Sequence, residues 1–422
     1  INLAIFQNNM YWAAKSFENI NTIVTEALNM NSSYHKHKIM GIPATYLDPK
    51  IFPPNADFLY NSPYIRCFIE NPNHIGLHTY NSSLPTFKGT QKIELDLLRI
   101  CAEEIFQGKS NSYDGYIAPG GTECNIQALW IFREYFIKKS NSKIDEIAVL
   151  FSEDSHYSIH KACNILRLNF QQIKVNFNNR HLDLEYLEKI INELKHKGVK
   201  YFIFVLNLGT TMFGSIDPIS KINAIIKSHN LNHRVHIDAA FGGFIYPFIS
   251  PNNEFSFNNT LIDSISLDGH KMLEAPYGTG IFLIRKNLIN NILTKEASYI
   301  QGLDHTLCGS RSGANAIATW MILNIYGSEG IIRRMKEFIK KTDKICDTLN
   351  KLNIDYVRNK NMNIISILDG EIPKNICNKY TLVPDTHIKK PTWWKIVVME
   401  HVNWNLVNQF INDLKVSLTR NT

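Results

Sequence analysis

Cysteine is scarce and scattered in this chain of 422 residues. The seven thiols stand at Cys67, Cys101, Cys124, Cys163, Cys308, Cys346 and Cys377, no two closer than 23 positions. That spacing excludes a CxxC redox site and a local cysteine-based zinc knuckle. A disulfide scaffold does not suit a chain this long, so reduced thiols in a cytoplasmic setting are expected. Long apolar runs are missing as well. The most apolar, residues 201–208, has the length of a strand, against the roughly 20 residues a membrane-spanning helix needs. Concentrated positive charge is also absent. There are 45 basic and 38 acidic residues, a formal charge of +7, and no long basic block of the kind nucleic-acid binding uses. Neither a membrane nor a nucleic acid is an expected partner. The chain has no P-loop, no GxGxxG loop and no HExxH pair of metal ligands. It shows no internal repeat and no low-complexity linker.

What is present is a globular balance of 44% hydrophobic and 20% charged residues. The length suits one large domain and a smaller one. Residues 1–90 read as an arm: an amphipathic helix over 13–30, then a stretch rich in Pro, Asn and Tyr up to Pro85. Prolines at that density interrupt regular structure, and such an arm can wrap a second subunit. From residue 91 the pattern becomes regular. Ile93, Leu97, Ile100 and Cys101 recur at helical spacing and predict a helix over 91–106. Further helices are expected at 123–136, 158–169, 184–196 and 218–228. Strands are expected at 147–151, 201–206, 235–237, 262–267 and 280–284. That alternation is the α/β signature, a mainly parallel sheet covered by helices, filling 91–330. Residues 331–422 read as a small α+β domain, with strands at 362–367 and 395–399 and a helix at 401–414.

Six local features could carry chemistry. Asp268-Gly269-His270-Lys271 follows an apolar strand. Its lysine is either a surface charge or a Schiff-base lysine placed where parallel sheets site their chemistry. His236-Ile237-Asp238-Ala239-Ala240 ends another strand. There Asp238 reads as a cap or as a carboxylate beside a flat ring, with Ala240 small enough to let the ring approach. Gly120-Gly121-Thr122-Glu123 opens a helix, as a plain cap or as a phosphate cradle. Asp154-Ser155-His156-Tyr157-Ser158 offers His156 as a ring-stacking partner. His156 and His160 stand four apart, but no metal site is expected. Thr210-Thr211 follows the strand at 201–206. Arg311, in Gly309-Ser310-Arg311-Ser312-Gly313, either grips a substrate carboxylate or buttresses its loop against an internal acid. A lysine, a carboxylate, a phosphate cradle and an aromatic stacker together match pyridoxal 5′-phosphate chemistry.

In their order and spacing across residues 91–330 these stretches resemble the group II pyridoxal-phosphate-dependent amino-acid decarboxylases. The resemblance implies an aspartate-aminotransferase-like fold and a homodimer with shared active sites. It implies Lys271 as the lysine joined to the cofactor, Asp238 as partner of the pyridine nitrogen, and His156 and Ala240 on the two ring faces. Gly120, Gly121 and Thr122 become phosphate ligands, joined by Asp268 and His270, and Thr210 lies near the ring or its 3′ oxygen. Arg311 joins the catalytic set. Gly269-His270-Lys271-Met272, Tyr299 and the Arg311 turn are similar to bacterial histidine decarboxylases, as is Gly41-Ile42-Pro43. Asp268 and Asp238 through Phe244 are similar to archaeal-type tyrosine/aspartate decarboxylases. The implied reaction is α-decarboxylation of an L-amino acid, with histidine slightly favoured over tyrosine and aspartate. The rivals are another carbon–carbon lyase using the same cofactor, such as one cleaving a phosphorylated sphingoid base, and a non-catalytic interaction protein.

Overall fold

The computed structural model describes residues 38–41, 48–51, 88–250, 253–294, 303–309 and 311–419. The helix expected at 13–30, nearly all of the Pro-rich stretch and Tyr299 lie outside the described residues.

The short apolar runs of the middle of the chain join into one seven-stranded sheet. Its strands are β1 (Tyr113–Ala118), β2 (Ile147–Ser152), β3 (Asn169–Ile173), β4 (Tyr201–Asn207), β5 (Asn232–Asp238), β6 (Ser264–Asp268) and β7 (Gly280–Arg285). The order across the sheet is β1-β7-β6-β5-β4-β2-β3. Strands β3, β2, β4, β5 and β6 pair in parallel, while β7 runs antiparallel to both β6 and β1. Six strands, β1 through β6, therefore end at the same edge.

Alternate residues of the central strands feed two cores, as the two-residue side-chain period requires. Phe202 and Phe204 join one core with Leu187, Ile190 and Ile222. Ile203 and Val205 join the other with Ala128, Leu129 and Phe132. Burial on both faces is what makes β4 read as a continuous apolar run. Helix Leu184–His196 illustrates how one cover forms. Asp183 caps it by accepting from the Tyr186 amide at 2.9 Å, and Leu187, Ile190, Ile191 and Leu194 make one buried stripe.

Two strands of this sheet were not legible in the sequence. β3 is an edge strand of sequence Asn-Phe-Gln-Gln-Ile that is mostly exposed, so it lacks an apolar signature, and the helix expected to reach 169 stops at Leu166. β1 is fully buried but carries Asp114 and Gly115 inside it. Asp114 is satisfied by Lys286 Nζ and the Asn287 amide, both at 2.8 Å. The helix expected at 91–106 begins earlier, as Lys88–Arg99, and continues as a π-helical turn, Ile100–Ile105.

A second, four-stranded antiparallel sheet is formed by Tyr356–Val357, Ile364–Leu368, Val383–Pro384 and Trp393–Val397. The helical run Gly313–Lys351 crosses residue 330 and is broken at Gly327, whose backbone lies at φ 59°, ψ 176°. Ile345 and Leu349 from its far end pack with Ile365, Ile396, Phe410 and Leu414. Residues 38–41 dock on this sheet. The Val397 amide donates to Met40 O at 2.5 Å, Met40 N donates to Tyr380 O at 3.2 Å, and His401 Nε2 donates to Ile39 O at 2.8 Å. Among the described residues no helix is long and apolar enough to cross a membrane.

His401 is buried, and burial pushes its imidazole down to about 4 from the ordinary 6.5. The unfolded chain then takes up a proton below 6.5 that the folded chain refuses until about 4, so this residue makes stability fall as pH falls through that window. Urea unfolding across the window should show His401→Gln flattening the dependence by up to about 1.4 kcal/mol per pH unit. An unchanged slope would show that His401 is charged in the folded protein.

Candidate active site

The shared strand edge gathers nearly all the expected residues around one cavity of about 280 Å³. Gly120, Gly121 and Thr122 follow β1, His156 follows β2, Asn207 and Thr210 come from the end of β4, Asp238 and Ala240 from β5, and Asp268, His270 and Lys271 from β6; all line it. Arg311 does not line it. Its guanidinium is buried against the Glu94 carboxylate, donates to Ile117 O at 2.9 Å and lies over the Tyr116 ring. These contacts fit the buttress alternative and set Arg311 apart from the residues that line the cavity. The physical reason is Glu94, a buried acid on helix Lys88–Arg99 that also accepts from the Ile117 amide at 2.8 Å and requires a counter-charge. His160 turns away from His156 and packs edge-on against Phe151 and Phe170. Among the described residues no group of three or more His, Cys, Asp or Glu could hold a metal.

Lys271 sits in the loop between β6 and β7. Its Nζ lies 3.1 Å from Asp268 Oδ2, and His270 Nε2 lies 3.6 Å from the same oxygen. Burial alone would push the amine down, but Asp268 and Asp238 outweigh it and hold the lysine above its usual range. Asp268 Oδ2 thus stands beside both Lys271 and His270. The donors for an anion are at the start of helix Gly121–Ser140, where the first amides have no partner within the helix. Gly120 enters that helix at φ 129°, a conformation reserved for glycine, and no side chain caps it.

Asp238 is held on both oxygens. Asn125 Nδ2 donates to Oδ2 at 2.9 Å and the Ala240 amide to Oδ1 at 3.2 Å. His156 accepts on Nδ1 from the Ser158 amide at 3.3 Å, with Ser158 Oγ at 2.8 Å. Burial and the charge of Lys271 outweigh the nearby carboxylates and lower its pKa, so the ring is neutral. Thr210 shares a 2.6 Å hydrogen bond with Ser215 Oγ and accepts from the Ser215 amide.

Asn125, Asn207, Phe241, Tyr157 and Tyr277 line the cavity without having been singled out for it. Two buried residues behind it were also missed. His236 was legible: it stands two residues before Asp238 on one strand and must share its face. Lys395 had no such signal. It reaches from the second sheet to donate to Thr211 O at 3.2 Å, and burial together with the Lys271 charge pushes it down to about 8.

The cavity accepts the cofactor that the sequence implies. Asp268 Oδ1 is buried without a hydrogen-bond partner among the described residues. Gly280 of β7 presses so closely on the cradle that a Cβ there would stand 2.5 Å from Gly120 C and 2.7 Å from its O. A lysine, a clamped carboxylate, an unused helix start and a neutral imidazole thus surround one space. A family model described as the pyridoxal-dependent decarboxylase conserved domain matches residues 79–366. The chain belongs to this family. A tryptophan decarboxylase of Clostridium sporogenes is 44% identical over 405 residues, covering 96% of this chain and 97% of that protein. A histidine decarboxylase of Morganella morganii is 30% identical over 318 residues, 74% of this chain and 78% of that one. Among solved structures, the L-methionine decarboxylase of Streptomyces sp. 590 matches with a TM-score of 0.78 at 17% identity, over 96% of each chain. The decarboxylase has the aspartate-aminotransferase-like α/β fold, and its cofactor is pyridoxal 5′-phosphate. It is a pyridoxal-phosphate-dependent amino-acid decarboxylase.

The close approach of β7 to Gly120 has a measurable consequence. Gly280→Ala should push the cradle out of place, lowering stability by about 1–3 kcal/mol and weakening binding of pyridoxal phosphate. Urea unfolding and cofactor titration check this. Unchanged values in both would mean that β7 does not set the position of the cradle.

Proposed function

We propose that this decarboxylase acts on a free aromatic L-amino acid, tryptophan before others, releasing CO2 and the matching amine. The observation that carries the reading is the 44% identity to a tryptophan decarboxylase across almost the whole of both chains. The cavity wall supports it. Tyr157, Phe241 and Tyr277 offer aromatic groups, and Lys271 is the one lysine or arginine among the described lining residues. A second carboxylate, as in aspartate, would lose its hydration there without a cation of its own. Histidine, which the motifs favoured slightly, and tyrosine are the competitors.

Position supports each role. Pyridoxal 5′-phosphate supplies, when bound, the sink for the electron pair left at Cα as CO2 departs. Lys271 Nζ is the covalent anchor, and Asp268 orients it before attachment. Asp238 would pair with the pyridine nitrogen and keep its proton there. His156 and Ala240 would flank the cofactor ring and keep water from it. The amides of Gly121 and Thr122 bind the phosphate, with Gly120 allowing the close approach and His270 beside them. Thr210 would lie near the ring or its 3′ oxygen, and Arg311 fixes the loop that precedes helix Gly313–Lys351. The proposal extends to a cytoplasmic homodimer with shared active sites, built from an arm (1–90), a large cofactor domain (91–330) and a small domain (331–422).

Two measurements test the reading. Borohydride reduction of the loaded enzyme and peptide mapping should find the cofactor on Lys271; an adduct on another lysine would refute the anchor. Initial rates of CO2 and amine release at saturating cofactor should give tryptophan a kcat/KM about tenfold or more above histidine, tyrosine and aspartate. A higher value for any of these three would refute the substrate assignment, and aldehyde or keto-acid release without CO2 would refute the chemistry.

A further inference from the structure

Behind Asp238 lies a hydrogen-bonded network whose direction is set at one end. A carboxylate only accepts, so the donor end of the Asn125 amide must face Asp238, and Nδ2 stands 2.9 Å from Oδ2. Asn125 Oδ1 then points the other way and accepts from Ser266 Oγ at 2.9 Å and from His236 Nε2 at 2.8 Å. His236 must therefore carry its proton on Nε2, which leaves Nδ1 to accept from Ser264 Oγ at 2.8 Å. The second hydrogen of Asn125 Nδ2 goes to Ser158 Oγ at 2.9 Å, the hydroxyl that stands 2.8 Å from His156 Nδ1. All four hydrogen-bonding positions of the amide are used. Asn125 is 1% exposed and His236, Ser158, Ser264 and Ser266 are 0% exposed, so water cannot substitute for any link. Burial pushes His236 down to about 4, consistent with a neutral ring that needs a defined tautomer.

We infer that Asn125 is a positioning residue of the decarboxylase. Its one amide holds the Asp238 carboxylate toward the cofactor ring, braces Ser158 beneath His156, and keeps His236 as the Nε2–H tautomer. Without it the described holder of Asp238 would be the Ala240 amide alone, on Oδ1, and the carboxylate could turn about that contact. The loss would fall where charge develops on the ring, hence on turnover more than on substrate binding. The inference does not depend on which amino acid is decarboxylated. It rests on Asp238 and His156 flanking the cofactor, and the proton order can be read without cofactor, so its failure is distinguishable from failure of that assignment.

The test combines imidazole 15N spectra of the cofactor-free protein, labelled at histidine, with steady-state kinetics of the loaded enzyme. The expected wild-type spectrum has His236 neutral at neutral pH with its proton on Nε2. Asn125→Leu removes all four bonds. It should give His236 a mixture of tautomers and lower kcat roughly tenfold or more, with KM within about threefold. Asn125→Asp keeps the side chain's shape but replaces the donor facing Asp238 by an acceptor, and should lower kcat similarly; it decides the matter if the leucine variant does not fold. The proposal is overturned by a wild-type His236 protonated on Nδ1, or by a folded variant whose kcat stays within about twofold of wild type. The wild-type tautomer alone decides if neither variant folds.

Discussion

The parallel register of β5 on β6 is the constraint on which the site depends. It sets His236 opposite Ser264 and Asp238 opposite Ser266, and Ser266 stands two residues before Asp268 and five before Lys271. A slip of one residue would turn His236 and Asp238 to the opposite face of the sheet. The serines would then face the wrong layer, and the Asn125 amide would meet no carboxylate. Register is strongly specified here because alternate residues of β5 must serve different surroundings. Val235 and Ile237 belong to an apolar core, whereas His236 and Asp238 need hydrogen bonds. No one-residue shift satisfies both sets.

Charge in the cavity is arranged by the same edge. Two carboxylates from adjacent strands, Asp238 and Asp268, stand near one lysine. They oppose the desolvation that would otherwise discharge Lys271. Across the cavity, burial keeps His156 neutral, a state suited to lying flat on a ring. The two oxygens of Asp238 are already held by Asn125 and Ala240 before a cofactor arrives. Such preorganisation means that little reorientation is required as charge develops.

The ends of the chain reach the lysine loop through one buried ion cluster. Arg334 lies between Asp48, Glu274 and Glu400, and Glu274 follows Lys271 by three residues. The Asp48 amide also donates to Glu274 O at 3.1 Å. Burial pushes the Glu274 carboxyl up, and the charge of Arg334 pulls it back down. An N-terminal residue, the helix after Gly327 and the lysine loop thus share one set of charges that cannot be separated without leaving an ion buried alone.

Much of this enzyme was legible in its sequence because periodicity and residue type report local needs. Helix Leu184–His196 has its bounds written in one stripe and one cap, and the alternation of elements sufficed for an α/β sheet. Lys271, Asp238, His156 and the Gly120-Gly121-Thr122 turn stood out because each follows a strand or opens a helix with residue types that suit one cofactor. β3 and β1 escaped because an exposed edge needs no apolar pattern, and because a buried strand can carry an aspartate whose partner lies 172 residues away. Arg311 shows the limit most clearly. Its residue type announces a carboxylate partner, but only the packing of helix Lys88–Arg99 against β1 brings Glu94, 217 residues distant in the chain, to its guanidinium. The role of Asn125 was equally hidden, since an asparagine inside a helix has no distinguishing pattern of its own. The sequence by itself determined the α/β alternation, the cofactor chemistry and a set of candidate residues for it. Which of those residues meet, and which are held by unnoticed neighbours, was decided by the tertiary structure, because hydrogen bonds and ion pairs between strands and helices depend on register and packing that local pattern does not encode.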